Sequence, residues 1–110
     1  MHVGVRDATL YQAGYPDAVS GLRDLQIHHL ELAIDARGRV RSLVDDEILD
    51  LSEGHGLAVL RKQAVLHGIH LTTLLCSQDF NAPDSIPQVE WVVRAVHVAQ
   101  DLGIPAVRVD

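Results

Sequence analysis

The sequence predicts an α/β protein in which parallel strands alternate with helices in the order βαβαβαβ. Two observations carry the prediction. Three segments, DLQIHHLEL (24–32), LHGIHLTTL (66–74) and DLGIPAVRV (101–109), repeat one pattern at intervals of roughly 35 to 40 residues, a helix exit feeding an apolar run of strand length. Each exit is preceded by a stretch of helical period, and a connection that contains a helix forces its flanking strands to pair in parallel.

Taken in chain order, strand one is expected near Val3 to Thr9. Helix one opens at Tyr15-Pro16-Asp17, with Pro16 suited to a first turn and Asp17 favourable at the positive end of the dipole; Ala18, Val19, Leu22 and Leu25 fall on one side. Gln26 stands where the later copies have glycine, and strand two follows from His29 to Ile34. Asp35-Ala-Arg-Gly-Arg39 and VRSLVDDEILDLSEGHG then form an insertion too long for a minimal strand-to-helix loop. Helix two spans about Glu53 to His67, with Leu57, Leu60, Ala64 and Val65 inward and Arg61, Lys62 and Gln63 outward. Gly68 provides the stop, because a helix C-terminus wants a residue free to adopt positive φ, and strand three runs from Ile69 to Leu75. Helix three has Ser85 as cap, Pro87 in its first turn and a stripe of Val89, Val92, Val93, Val96, Ala99 and Leu102; it ends at Gly103, before strand four at Ala106 to Val109. Strands two and three are almost continuously apolar, as parallel strands covered on both faces are. Such a unit is either part of a doubly wound open sheet or the opening of a (β/α)8 barrel.

Composition narrows the function classes. With 47% apolar and 22% charged residues, the chain has the balance of a soluble globular protein. Its formal charge of -6 and scattered basic residues argue against a nucleic-acid partner. No apolar run reaches the roughly 18 residues of a membrane span, and the region after Met1 does not read as a secretory signal, so the expected location is cytoplasmic with no membrane partner. The single Cys76 has no partner for an intrachain disulfide.

GVRDATL (4–10), GYPDAVSGLRDLQIHHLEL (14–32), LRKQAVLHGIHLTTLL (60–75), DFNAPD (79–84) and EWVVRAVHVAQDLGIPAVRVD (90–110), in that order and spacing, resemble the N-terminal part of the sugar phosphate isomerase/epimerase family, the xylose-isomerase-like barrels. The resemblance implies the first half of a (β/α)8 TIM barrel, because a whole one takes about 250 residues. It also implies a divalent metal (Mn, Mg or Zn) at the C-terminal mouth of the full-length protein and proton or hydride relocation beside the carbonyl of a sugar or sugar acid. The family's principal metal ligands come from later strands, so no metal ligand is assigned on this chain and no cofactor is expected for it alone; its catalytic residues are left unassigned, and the piece by itself is expected to be inactive. The same reading expects two unpaired sheet edges and wet apolar faces, hence a truncated product or a chain completed by another copy. Two alternatives stay open: a non-catalytic half-barrel for binding or assembly, and a relative of the zinc endonucleases of abasic DNA. The second is disfavoured because Ile34-Asp35 and Leu75-Cys76-Ser77 stand where those enzymes have histidine ligands.

Four residues are the candidates for substrate contact: Glu31, Asp7, Asp35 and Asp110. Glu31 puts a carboxylate on a buried strand, which demands either an arginine partner, with Arg6 and Arg108 the available ones, or a ligand. Asp7, Thr9, Asp35, Cys76, Ser77 and Asp110 fall at predicted strand C-terminal ends, where barrel sites form, although mouth residues are commonly loop stabilisers. Asp79 and Asn81 read first as turn formers. His28, His29, His67 and His70 belong to the opposite end, and only His55 among the histidines is placed to face the mouth. Asp45-Asp46-Glu47 lacks the spacing of a calcium loop and reads as a solvated surface.

Overall fold

A computed structural model describes residues 4–76 and 86–109. Four strands, β1 (Gly4–Arg6), β2 (His29–Ala33), β5 (His70–Cys76) and β6 (Ala106–Val109), form one parallel sheet in the order β1-β2-β5-β6. The expected parallel pairing therefore holds, with Val5 opposite Leu30, Leu32 opposite Leu74 and Leu74 opposite Val107. A register shift after Leu30 leaves Thr72 as an extra residue, and its hydroxyl donates to the Leu30 carbonyl at 3.3 Å.

Between these strands run α1 (Asp7–Gln12), α2 (Ala18–Leu25), α3 (Gly54–Leu66) and α4 (Ile86–Leu102). Leu30, Leu32, Leu74 and Cys76 share one buried cluster with Leu10 of α1, Val19 and Leu22 of α2, Leu60 and Ala64 of α3, and Ala95, Val98 and Ala99 of α4. All four helices thus cover the same face of the sheet. The other face carries Gly4, Arg6, His29, Glu31, Ala33, His70, Thr73, Leu75, Ala106 and Arg108, which alternate with the core residues and pair across the strands. That face is mainly polar, contrary to the expectation of a wet apolar one: Arg6 and Arg108 flank Glu31 there at 3.6 and 3.2 Å.

The helix exits obey the repeat. Gly68 and Gly103 have φ of 65° and 71°, and Gln26 adopts the same left-handed conformation at φ 57°, so the weaker stop works at the cost of a strained side-chain-bearing residue. Asp17 is the N-cap of α2, its carboxylate accepting from the Ser20 N–H at 2.7 Å; Pro16 therefore lies just outside the helix rather than in its first turn.

Other expectations are corrected. Strand one stops at Arg6, and Asp7 to Gln12 are helical, because Leu10 turns into the core while the Asp7 carboxylate caps the Ala8 N–H at 2.9 Å. Leu25 is 47% and Val65 76% exposed, since Leu22 and Ala64 already fill the inward positions one turn earlier or beside them. On α4, Val89, Val93 and Val96 are exposed, and Ala95, Val98 and Ala99 face the sheet: the small alanines admit close approach, and Trp91 fixes the rotation by donating from its indole N–H to the Ile34 carbonyl at 3.1 Å. Ser85 lies outside the described residues.

The insertion is not a loop but an antiparallel hairpin, β3 (Arg39–Arg41) and β4 (Ile48–Asp50). Gln63, expected outward, turns in to hold it: its amide oxygen accepts from the Leu43 N–H at 2.9 Å and its amide nitrogen donates to Ser42 Oγ at 3.0 Å. The Val19 N–H donates to the Leu43 carbonyl at 3.0 Å, so the hairpin is tied to α2 as well. Buried Gly56, in the first turn of α3, sits against the Asp50 carbonyl with no room for a Cβ. Asp45, Asp46 and Glu47 form the exposed hairpin tip, as the solvated reading requires.

Candidate binding site

The hairpin leans over the C-terminal ends of the strands and closes one side of a pocket of about 410 Å³. Asp7, Ala8 and Tyr11 come from α1, Ala33, Ile34 and Asp35 from the end of β2, Arg39, Val40, Arg41 and Ile48 from the hairpin, Leu75 from β5 and Trp91 from α4. Its volume is that of a small-molecule site, and its walls are mostly aliphatic with a few polar groups, the usual make-up of such pockets.

Asp7 is 4% exposed. Its Oδ1 accepts from the Ala8 N–H at 2.9 Å and from the Ala33 N–H at 3.2 Å, which pins the end of β1 to the end of β2. Burial pushes the Asp7 carboxyl above its usual value, against the pull of those two N–H donors and of the Arg41 charge. Tyr11 lies one helical turn on. Its hydroxyl is pushed up to about 12, first by burial and then by the nearby Asp7 carboxyl, so it keeps its proton at neutral pH. The Arg41 guanidinium stacks over the Tyr11 ring, 3.7 Å from its centroid, and donates from one Nη to the Pro16 carbonyl at 3.1 Å. Tyr11 Oη and Arg41 Nε are both buried with no hydrogen-bond partner among the described residues.

Asp35 plays a different part. Its Oδ1 accepts from the Arg37 and Arg39 N–H groups at 2.9 and 2.8 Å, and its Oδ2 from Arg39 Nε at 2.9 Å. The carboxylate builds the turn into the hairpin, and three donors leave it little capacity for a ligand.

Of the four candidates, the structure brings Asp7 and Asp35 together in the pocket. Glu31 lies apart, on the open sheet face between Arg6 and Arg108, so the arginine-partner reading accounts for it with both arginines rather than one. Asp110, with Ser77, Asp79 and Asn81, lies outside the described residues. Thr9 is exposed on α1, and His55 is exposed in the first turn of α3; neither lines the pocket. Cys76 is fully buried in the core and burial raises its thiol, which keeps it unreactive. At the other end of the sheet His28 and His67 line a separate cavity of about 530 Å³, and His29 stacks on His70 with ring centroids 5.2 Å apart. Among the described residues, no group of three or more His, Cys, Asp or Glu side chains is placed to hold a metal ion.

Sequence reasoning missed Tyr11, Arg41 and Trp91. The signal for Tyr11 was the helical spacing of Asp7, Leu10 and Tyr11, hidden while strand one was extended to Thr9. For Arg41 it was the alternation Arg39-Val40-Arg41, a short strand with Val40 buried between two outward arginines.

Fold and site together define a parallel α/β protein with helices on one sheet face and a small-molecule-sized pocket at the strand C-termini. Comparison with protein-family models, with curated proteins and with solved structures gives no match. No helix among the described residues is long and apolar enough to cross a membrane.

Proposed function

We propose that the chain is the first half of a (β/α)8 barrel of the sugar phosphate isomerase/epimerase kind and that its pocket forms part of the mouth where a small polar substrate binds. One observation carries the barrel half of this reading: the strands run β1-β2-β5-β6 in unbroken sequential order, and every helix packs on the same face. A doubly wound sheet reverses its strand order and carries helices on both faces, whereas a barrel does neither. The pocket supports the rest, since it opens at the strand C-termini, where barrel sites form. In this reading the divalent metal is held by carboxylates and a histidine from later strands, and the substrate is a sugar, sugar acid or sugar phosphate in the cytoplasm. The groups on this chain hold and orient the substrate, and among the described residues Asp7 is the pocket carboxyl available to exchange a proton with it, Asp35 being held by the hairpin turn. The test is exchange of the proton beside the carbonyl into deuterated water, catalysed by the native polypeptide with Mn or Mg across aldoses, ketoses, their phosphates and inositol-type compounds. Absence of both exchange and metal binding overturns the proposal.

The Arg6–Glu31–Arg108 face favours a second reading, a half-barrel that pairs with another copy. Among the described residues β1 and β6 are the outer strands of the sheet, and in such a pairing the polar face would be enclosed between two sheets. A dimer of defined mass in light scattering supports it, and a monomer at all concentrations removes it.

A further inference from the structure

We infer that the pocket binds the oxyanion head of a small ligand, a carboxylate or a phosphate, through Arg41 Nε and Tyr11 Oη. This rests on the pocket being a binding site but not on any isomerase chemistry. Tyr11 Oη and Arg41 Nε are the buried polar atoms of this pocket without a partner among the described residues, and buried polar groups in folded proteins are almost always paired. An arginine Nε only donates, and Tyr11, held protonated at neutral pH, is a donor as well. Tyr11 and Arg41, stacked together, line one pocket, and these two donors lack an acceptor among the described residues.

Charge makes that acceptor an anion. Among the described residues Arg41 forms no salt bridge, and its hydrogen bond goes to the neutral Pro16 carbonyl. The other arginine of the pocket, Arg39, is already neutralised by Asp35 at 2.9 Å. Asp7, the remaining carboxyl, has its Oδ1 committed to two backbone N–H groups and forms no ion pair with Arg41. The guanidinium, stacked on Tyr11, thus has no direct ion-pair partner among the described residues and can take a charge-assisted hydrogen bond from an anion in the pocket. Arg41 belongs to the inserted hairpin, so the site sits beside the first two strands, away from the loops after strands seven and eight that bind phosphate in many barrels.

Trp91 is the only tryptophan in the chain and lines the same pocket, which makes its fluorescence and its indole N–H resonance direct reporters. The experiment titrates the protein with inorganic phosphate and, separately, with sodium acetate at constant ionic strength. We expect saturable shifts of the Trp91 signals. Tyr11→Phe and Arg41→Gln should each weaken binding about tenfold, the worth of one charge-assisted hydrogen bond. Saturation by phosphate alone assigns a phosphate ester, by acetate alone a carboxylate, and by both an unselective oxyanion site; each supports the inference. No saturable shift with either anion overturns it, as does binding that Tyr11→Phe leaves unchanged. That variant removes only an unpartnered hydroxyl and should fold, whatever becomes of Arg41→Gln. Failure of isomerase activity leaves these outcomes untouched, so the two proposals fail separately.

Discussion

Replacing Asp7 by Ala and by Asn separates the two things its carboxyl does. As an acceptor it satisfies the Ala8 and Ala33 N–H groups; as a charge it is buried at 4% exposure beside Tyr11 and Arg41. Asp7→Ala orphans both donors. At about 1 to 3 kcal/mol for each buried N–H, with solvent in the pocket able to reach one of them, the expected loss is about 2 to 4 kcal/mol. Asp7→Asn keeps an acceptor oxygen and drops the buried charge, so stability at neutral pH should stay within about 1 kcal/mol of wild type. The pH dependence has a definite sign. Because the folded carboxyl is raised above its ordinary value of 3.8, the folded state binds the proton more tightly than the unfolded chain. Wild type therefore gains on Asp7→Asn as pH falls through the raised folded value towards 3.8, and the gain disappears above it. Urea unfolding followed by Trp91 fluorescence, read as the difference between wild type and Asp7→Asn so that other carboxylates cancel, measures this. Equal damage from Asn and Ala at neutral pH, or a wild type that loses stability relative to Asp7→Asn on acidification, refutes the assignment of Asp7 as a buried acceptor disfavoured as a charge.

Three further outcomes are expected. Gln26→Gly should raise stability by roughly 0.5 to 1 kcal/mol in the same urea assay, because glycine adopts the left-handed conformation at φ 57° without the side-chain penalty, a gain partly offset by its freer unfolded chain. Gly56→Ala should cost about 3 kcal/mol, since its Cβ would meet the Asp50 backbone carbonyl, which cannot move without separating β4 from α3; unchanged stability would show that the hairpin is not packed there. Glu31→Gln should cost about 1 kcal/mol at low salt and much less near 1 M salt, because Arg6 and Arg108 are about half exposed and such pairs are screened; a salt-independent loss would mean that the cluster is buried by something further.

The frame of the fold was legible where one local rule decides the outcome. Helix exits at Gly68 and Gly103, and even at Gln26, follow from the need for positive φ at a helix end, and the strands after them follow from apolar runs of strand length. What was not legible depended on contacts distant in sequence. Nothing local ends strand one at Arg6; the helix there is stabilised by Leu10 in the core and by Asp7 reaching Ala33 across 26 positions. The rotation of α4 is set by Trp91 reaching Ile34, which no hydrophobic stripe encodes, so Val89, Val93 and Val96 looked as core-like as Ala95 and Val98. The pocket was half visible. Asp7 and Asp35 could be placed by their position after strands, while Arg41 required the insertion to fold back as a hairpin and Tyr11 required α1 to exist.

The sheet face opposite the helices bears on what could pack against it. A sheet destined to receive a second layer of helices presents apolar side chains on both faces, because helix packing on a parallel sheet is driven by apolar burial. Here the face opposite the helices carries an Arg6–Glu31–Arg108 ladder at its centre, with Glu31 at 21% side-chain exposure and both arginines near half exposure. Covering that ladder with an apolar helix would strip water from three charges, at a cost that their mutual attraction does not reliably offset. Facing it with a polar, partly hydrated interior leaves the ions solvated and the network intact. The charged ladder at the centre of this face therefore argues against a second layer of apolar helices packed over it.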